Sequence, residues 1–216
     1  MPTTYLLAGD STVAPAKPDE YPMMGWGDQL ATHLGAPVRN FAFGGATTES
    51  FIAGGSWKAL VDETTAGDTI VIQFAHNDQK EPALLAARDG FTRRLRMMID
   101  ESRARGASAV LCTPVERRRF EHGRVAASHG DYPNAIRDLA AQTSTPLIDL
   151  TAFTTWLYED LGEDASAGLL SHFAPGQYPG WPDAVADDTH FQLEGARRIA
   201  AFVAQSLRAF SGLVDG

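Results

Sequence analysis

Five short apolar runs alternate with helix-like stretches along this chain, and that alternation constrains the fold more than any other feature. The clearest run is residues 68–75 (DTIVIQFA), where β-branched and aromatic residues end in a polar stop. A run of that kind reads as a strand buried on both faces. Residues 4–8, 38–43, 107–113 and 146–150 have the same character. Between the runs, apolar residues return at helical spacing. Residues 25–34 carry Trp26, Leu30 and Leu34, and Trp57, Leu60 and Val61 share one face of a short helix. A longer helix is expected from about residue 84 to 105, with Phe91, Leu95, Met98 and Ile99 inward and Gly106 as its C-terminal cap. Further helices are expected over residues 131–143, 151–161 and from 192 through Phe210. Strands separated by helices cannot pair as hairpins, so the pattern predicts an α/β fold with a mostly parallel sheet covered on both faces.

No composition shift or repeat divides the 216 residues, so residues 1–216 read as one domain. Two segments resist assignment. Residues 114–130 are polar and basic, and residues 171–186 are rich in glycine, proline and aromatics. Irregular segments of that length in a compact domain often carry function. Eighteen basic against 27 acidic residues give a net charge of −9, which disfavours non-specific nucleic-acid binding and docking on an anionic membrane. The single cysteine, Cys112, sits in an apolar run and reads as a buried thiol. The six histidines do not cluster at metal-ligand spacings, so no metal or other cofactor is expected. The N-terminal residues show no basic region followed by an apolar stretch. The expectation is a cytoplasmic protein.

Open parallel sheets bind ligands beyond the carboxyl ends of their strands. Gly9-Asp10-Ser11-Thr12 follows the first strand, Gly44-Gly45 the second and His76-Asn77-Asp78 the third. Asp187-Asp188-Thr189-His190 ends the last long loop, just before the final helix. Together these places supply what acyl transfer needs. A serine hydroxyl is barely acidic and requires an adjacent base, so Ser11 is the candidate nucleophile and His190 its base. Asp187, three residues earlier, can fold back to orient the imidazole. The backbone N–H groups of Ser11 and Gly45 and the side-chain amide of Asn77 are candidate oxyanion donors. Taken singly, each piece also has a plain structural reading, as a turn, a polar loop or a helix cap.

In their order, these residues resemble the SGNH (GDSL-like) hydrolases. Gly9-Asp10-Ser11, Gly45, Ala75-His76-Asn77-Asp78 and Asp187-Asp188-Thr189-His190 match the four blocks of that family. Residues 7–14, Gly25-Trp26-Gly27, residues 74–80, residues 113–120 and residues 129–133 are similar to the rhamnogalacturonan acetylesterase branch, so the likeness runs over nearly the whole chain. It implies a three-layer α/β/α, flavodoxin-like fold with a five-stranded parallel sheet. It also implies a metal-free serine esterase that removes O-acetyl groups from a plant cell-wall polysaccharide or its oligosaccharides through an acyl-enzyme; for a cytoplasmic protein the expected substrates are imported oligosaccharides rather than polymers.

The chain departs from the family pattern at three positions. Ala46 and Glu49 stand where the family commonly has arginine, and Ala75 where it usually has glycine. The first two changes remove positive charge and add a carboxylate, which weakens the expectation of an anionic sugar. The added methyl of Ala75 is acceptable if the backbone there is extended. Further candidates for substrate contact are His76, His129 and the loop aromatic Trp181, with Tyr178 and Phe173 beside it. Two alternatives stay open: a short-chain esterase on a non-carbohydrate acetyl ester, and a glycan-binding protein that has lost catalysis.

Overall fold

The computed structural model describes residues 3–214. In chain order its elements begin with β1 (Tyr5–Gly9), β2 (Met23–Met24), α1 (Gly27–Leu34), β3 (Val38–Asn40), α2 (Thr48–Ala53), α3 (Ser56–Glu63) and β4 (Thr69–Gln73). Then come α4 (Pro82–Leu85), α5 (Thr92–Ala104), β5 (Ser108–Cys112), β6 (Phe120–Glu121), β7 (Arg124–Val125) and α6 (Tyr132–Thr143). The chain continues through β8 (Leu147–Ile148), α7 (Leu150–Ser166), β9 (Leu170–Phe173), β10 (Val185–Gln192) and α8 (Leu193–Val214).

Five strands form one parallel sheet in the order β3-β1-β4-β5-β8. Successive strand residues point to opposite faces, so each strand feeds two apolar layers. Leu7, Val71 and Val110 pack with Leu30, Tyr158, Ile199 and Val203 of α1, α7 and α8. Leu6, Ile70, Ile72 and Leu111 pack with Phe51, Leu60, Leu95 and Ile136 of α2, α3, α5 and α6. The result is the expected three-layer α/β/α arrangement. Among the described residues no helix is long and apolar enough to cross a membrane.

Several boundaries differ from the sequence reading. The helix expected over 84–105 is broken: Ala86 is extended (φ −49°, ψ 134°), Ala87–Phe91 form a wide helical turn, and α5 starts only at Thr92. Gly90 explains the fold-back, because a Cβ there would lie 1.9 Å from the Leu84 carbonyl oxygen. The last parallel strand shrinks to Leu147–Ile148, and α7 begins directly after it at Leu150. The unassigned segments are not wholly irregular. The first contains the β6–β7 hairpin. The second supplies strand residues to a small antiparallel sheet, β2-β10-β9, which the periodicity did not show.

Candidate active site

The site is assembled at the carboxyl ends of β1, β3 and β4, with β10 brought across from the small sheet. The turn after β1 is built by Asp10. Its Oδ1 accepts the Thr12 N–H at 3.0 Å and the Thr12 hydroxyl at 2.8 Å, closing an Asx-type turn that holds Ser11 at its tip. A buried chain supports it from below: Trp26 Nε1 donates to Gln73 Oε1 at 2.9 Å, and Gln73 Nε2 donates to Thr12 Oγ1 at 2.5 Å. Gly9 is required by close approach, since a Cβ would meet Val13 Cγ2 at 2.6 Å.

Ser11 Oγ lies 3.0 Å from His190 Nε2, and His190 Nδ1 lies 2.7 Å from Asp187 Oδ2. Burial pushes the Asp187 carboxyl up, but hydrogen bonds from the His190 ring, the His190 N–H and the Thr189 N–H outweigh it and hold the group down at about 2. Asp187 and His190 belong to strand β10, not to a loop as the sequence suggested. Pairing with β9 shifts register between Asp187 and Phe191, and that irregularity brings Asp187 onto the His190 ring while His190 faces the serine. Asp188 does not border the cleft. It accepts from Arg118 Nη1 at 2.6 Å and contacts His172 Nε2 at 2.9 Å. Arg117 Nη1 reaches Thr189 Oγ1 at 2.8 Å, so the basic segment 114–130 ties β10 in place.

Gly44 and Gly45 turn the chain after β3, with Gly45 at φ +78° in open space, so backbone conformation rather than crowding requires the glycine. Asp78 clamps this loop to the β4 end: its Oδ1 accepts the Thr48 N–H at 2.8 Å and the Thr48 hydroxyl at 2.6 Å. Asn77 Nδ2 donates to the Ala46 carbonyl at 3.0 Å. Among the described residues, the N–H groups of Ser11 and Gly45 donate to no protein acceptor. Ser11, Gly44, Gly45, Asn77, Trp181 and His190 all border one cleft of about 390 Å³. Free donors beside a hydroxyl–imidazole–carboxylate line can carry a developing oxyanion.

His76 and His129 are placed differently from the substrate contacts expected of them. Both are buried, and neither borders the cleft. His129 Nε2 lies 3.1 Å from His76 Nδ1, and His129 Nδ1 lies 3.1 Å from Glu116 Oε1. Burial, then the charges of His129, Arg117, His190 and Lys80, holds the His76 imidazole well below its usual range. The sequence reading missed Glu116 and the cleft residues Lys17, Glu20, Met23, Met24 and Lys80. Lys80 had a signal in its spacing, three residues after Asn77.

The departures also have a place. Glu49 is paired with Arg94 of α5 and does not border the cleft. Ala46 is fully buried and serves through its carbonyl. Ala75 is not extended: its φ is +127°, a region that favours glycine.

The model of the GDSL-like lipase/acylhydrolase family matches residues 7–198. Rhamnogalacturonan acetylesterase RhgT of Bacillus subtilis is 43% identical over 95% of this chain and 90% of its own length. A probable rhamnogalacturonan acetylesterase of the same organism, YesY, is 30% identical over 94% of this chain and 91% of its own. The crystal structure of Bacillus subtilis YxiM superposes with a TM-score of 0.81 at 27% identity, covering 98% of this chain and 57% of that one. By sequence over nearly its full length and by fold, the chain belongs to the GDSL-like lipase/acylhydrolase (SGNH) family, is similar within it to the rhamnogalacturonan acetylesterases, and is a carboxylic ester hydrolase.

Proposed function

We propose that residues 1–216 act as one serine esterase domain that removes O-acetyl groups from plant cell-wall-derived carbohydrates. The observation that carries this reading is the Asp187–His190–Ser11 line opening onto the same cleft as two unengaged backbone N–H groups. His190 Nε2 takes the Ser11 proton as Oγ attacks the acetyl carbonyl carbon. The carbonyl oxygen becomes an oxyanion held by the N–H groups of Ser11 and Gly45 and by Asn77 Nδ2. Collapse expels the sugar alkoxide, which takes the proton from His190 and leaves acetyl-Ser11. Water, deprotonated by the same imidazole, then releases acetate and restores the serine. Asp187 stays ionised throughout and holds the ring with Nε2 toward Ser11.

The relatives' names supply the carbohydrate part of the reading. Two features of the structure agree with it. Trp181 offers a flat apolar face for a sugar ring. Glu49, already neutralised by Arg94, does not repel an acidic sugar. The test is acetate release from a neutral aryl acetate and from an acetylated pectin digest, by wild type and by Ser11→Ala. Release from both that is lost in the variant supports the assignment. Release that survives Ser11→Ala would move the nucleophile elsewhere. Release from the aryl ester alone would favour a non-carbohydrate substrate.

A further inference from the structure

Lys80 stands on the short helical turn Asp78–Lys80 that follows Asn77. With three residues per turn, positions i and i+3 share a side, and Lys80 folds back over Asn77. Its Nζ donates to Asn77 Oδ1 at 2.8 Å, while its N–H donates to the Asn77 carbonyl at 2.9 Å. On the opposite side Asn77 Nδ2 donates to the Ala46 carbonyl at 3.0 Å. An ammonium only donates and a carbonyl only accepts. The two contacts therefore fix one orientation of the amide. The flipped amide would set NH₂ against ammonium and oxygen against oxygen. In the orientation they fix, the second Nδ2 hydrogen is left over.

Lys80 borders the cleft with Ser11, Gly45 and His190. Among the described residues it has no carboxylate partner, whereas the other cleft lysine, Lys17, pairs with Glu20 at 2.6 Å. A full positive charge therefore stands directly behind the amide.

We propose that Lys80 is a positioning residue for ester cleavage, locking the Asn77 amide with its N–H toward the cleft and strengthening that N–H as an oxyanion donor. This rests on the reading of Asn77 as an oxyanion donor given above. A charge-assisted hydrogen bond to Oδ1 draws electron density away from the amide nitrogen, so the remaining N–H becomes a better donor. The gain is realised only when the carbonyl oxygen becomes negative, so it belongs to kcat rather than KM.

Kinetics on a neutral nitrophenyl acetate test this, because that substrate has no carboxylate for Lys80 to bind. The proteins compared are wild type, Lys80→Met, Lys80→Arg, Asn77→Ala, the Asn77→Ala/Lys80→Met double variant and Ser11→Ala. Loss of an oxyanion donor costs about 10²–10³ in kcat; acting through one such donor, Lys80→Met is expected to cost roughly 10-fold, with KM within about 2-fold. In the Asn77→Ala background the same substitution should add less than about 2-fold. Lys80→Arg should recover most of the loss. Affinity for a boronate that forms a tetrahedral adduct on Ser11 should fall in proportion to kcat. Methionine matches the aliphatic stem of lysine without its ammonium, and equal thermal midpoints would show that the fold is kept. An unchanged kcat in Lys80→Met, or an equal loss in the Asn77→Ala background, would overturn this proposal while leaving a Ser11-dependent esterase intact. Activity that survives Ser11→Ala would overturn the esterase mechanism and this proposal with it.

Discussion

Asp187 grips His190 twice. Its Oδ2 takes the imidazole Nδ1 at 2.7 Å, and its Oδ1 takes the His190 backbone N–H at 2.9 Å. One carboxylate thus sets both the ring and the main chain that carries it. In Asp187→Asn the amide oxygen can keep the backbone bond, but its NH₂ then faces Nδ1 and forces the other tautomer. Nε2 would carry the hydrogen and fail as a base toward Ser11. The expected outcome is a loss of about 10⁴ in kcat with little change in thermal midpoint. Steady-state kinetics beside a melting curve check it; a loss below about 10-fold would mean that Asp187 does not set the tautomer.

The same carboxylate bears on pH. Its folded value, near 2, is depressed, so the stability it contributes is present above the ordinary carboxylate range and is lost as pH falls toward 2. Asp187 therefore adds no break to the activity profile between about pH 4 and 8. A carbon-13 NMR titration of the Asp187 carboxyl checks this, and a midpoint between about pH 4 and 8 would contradict it.

Asp10 shifts in the other direction. Burial, against two hydrogen bonds from Thr12, pushes its carboxyl up to about 6. Its Oδ2 has no partner among the described residues. A raised carboxyl takes up a proton on folding, so its cost is absent below the unfolded value and complete above pH 6. Asparagine carries no charge at any pH. The stability of Asp10→Asn relative to wild type should therefore improve as pH rises from about 4 to 7, by on the order of 2–3 kcal/mol. Denaturant unfolding at a series of pH values measures it, and a difference that is flat with pH would refute it.

Ala75 holds a φ of +127° while its methyl is fully buried. Backbone strain there costs about 1–3 kcal/mol. Removing the methyl forfeits about 0.8 kcal/mol of burial, and glycine adds roughly 0.5–1 kcal/mol of unfolded-state entropy. These terms nearly cancel, so Ala75→Gly should be neutral within about 1 kcal/mol despite the buried position. A loss of 2 kcal/mol or more would show that the backbone is relaxed there.

Trp181 borders the cleft and fixes its indole by donating Nε1 to the Glu20 carbonyl at 3.1 Å. If its ring stacks on sugar, Trp181→Ala should raise KM for an acetylated oligosaccharide about 5- to 10-fold and barely change that for an aryl acetate. Equal effects on both substrates would assign it to holding the loop instead.

The parallel sheet was legible because its strands are buried on both faces, and residues such as Ile70, Val71 and Ile72 leave no polar alternation to confuse the reading. The break at Ala86 was not legible, since Phe91, Leu95 and Met98 keep helical spacing whether or not the helix extends upstream. Strand β10 was hidden for a different reason. Its sequence VADDTHFQ turns His190 to the cleft, Asp187 to His190 and Asp188 to Arg118, so polar contacts replaced the apolar alternation that marks a strand. That Ser11, Gly45, Asn77 and His190 meet at one cleft could be read from motif order and, for the first three, from their place after strands. The burial of His76 and His129 could not, because the two rings meet across 53 positions of chain and His129 leans on Glu116, whose side chain is sheltered by tertiary packing.

Ser11 follows a strand of the parallel sheet, whereas His190 rides on the small antiparallel one. The bond between them spans 179 positions of chain and also spans two separately hydrogen-bonded bodies. Turnover therefore serves as a proximity sensor for their docking. If the small sheet detaches as a local opening, hydrolysis stops while the larger sheet keeps its secondary structure. In a gentle urea titration, inactivation should then run ahead of the circular-dichroism transition, with the gap measuring how loosely His190 is moored to Ser11.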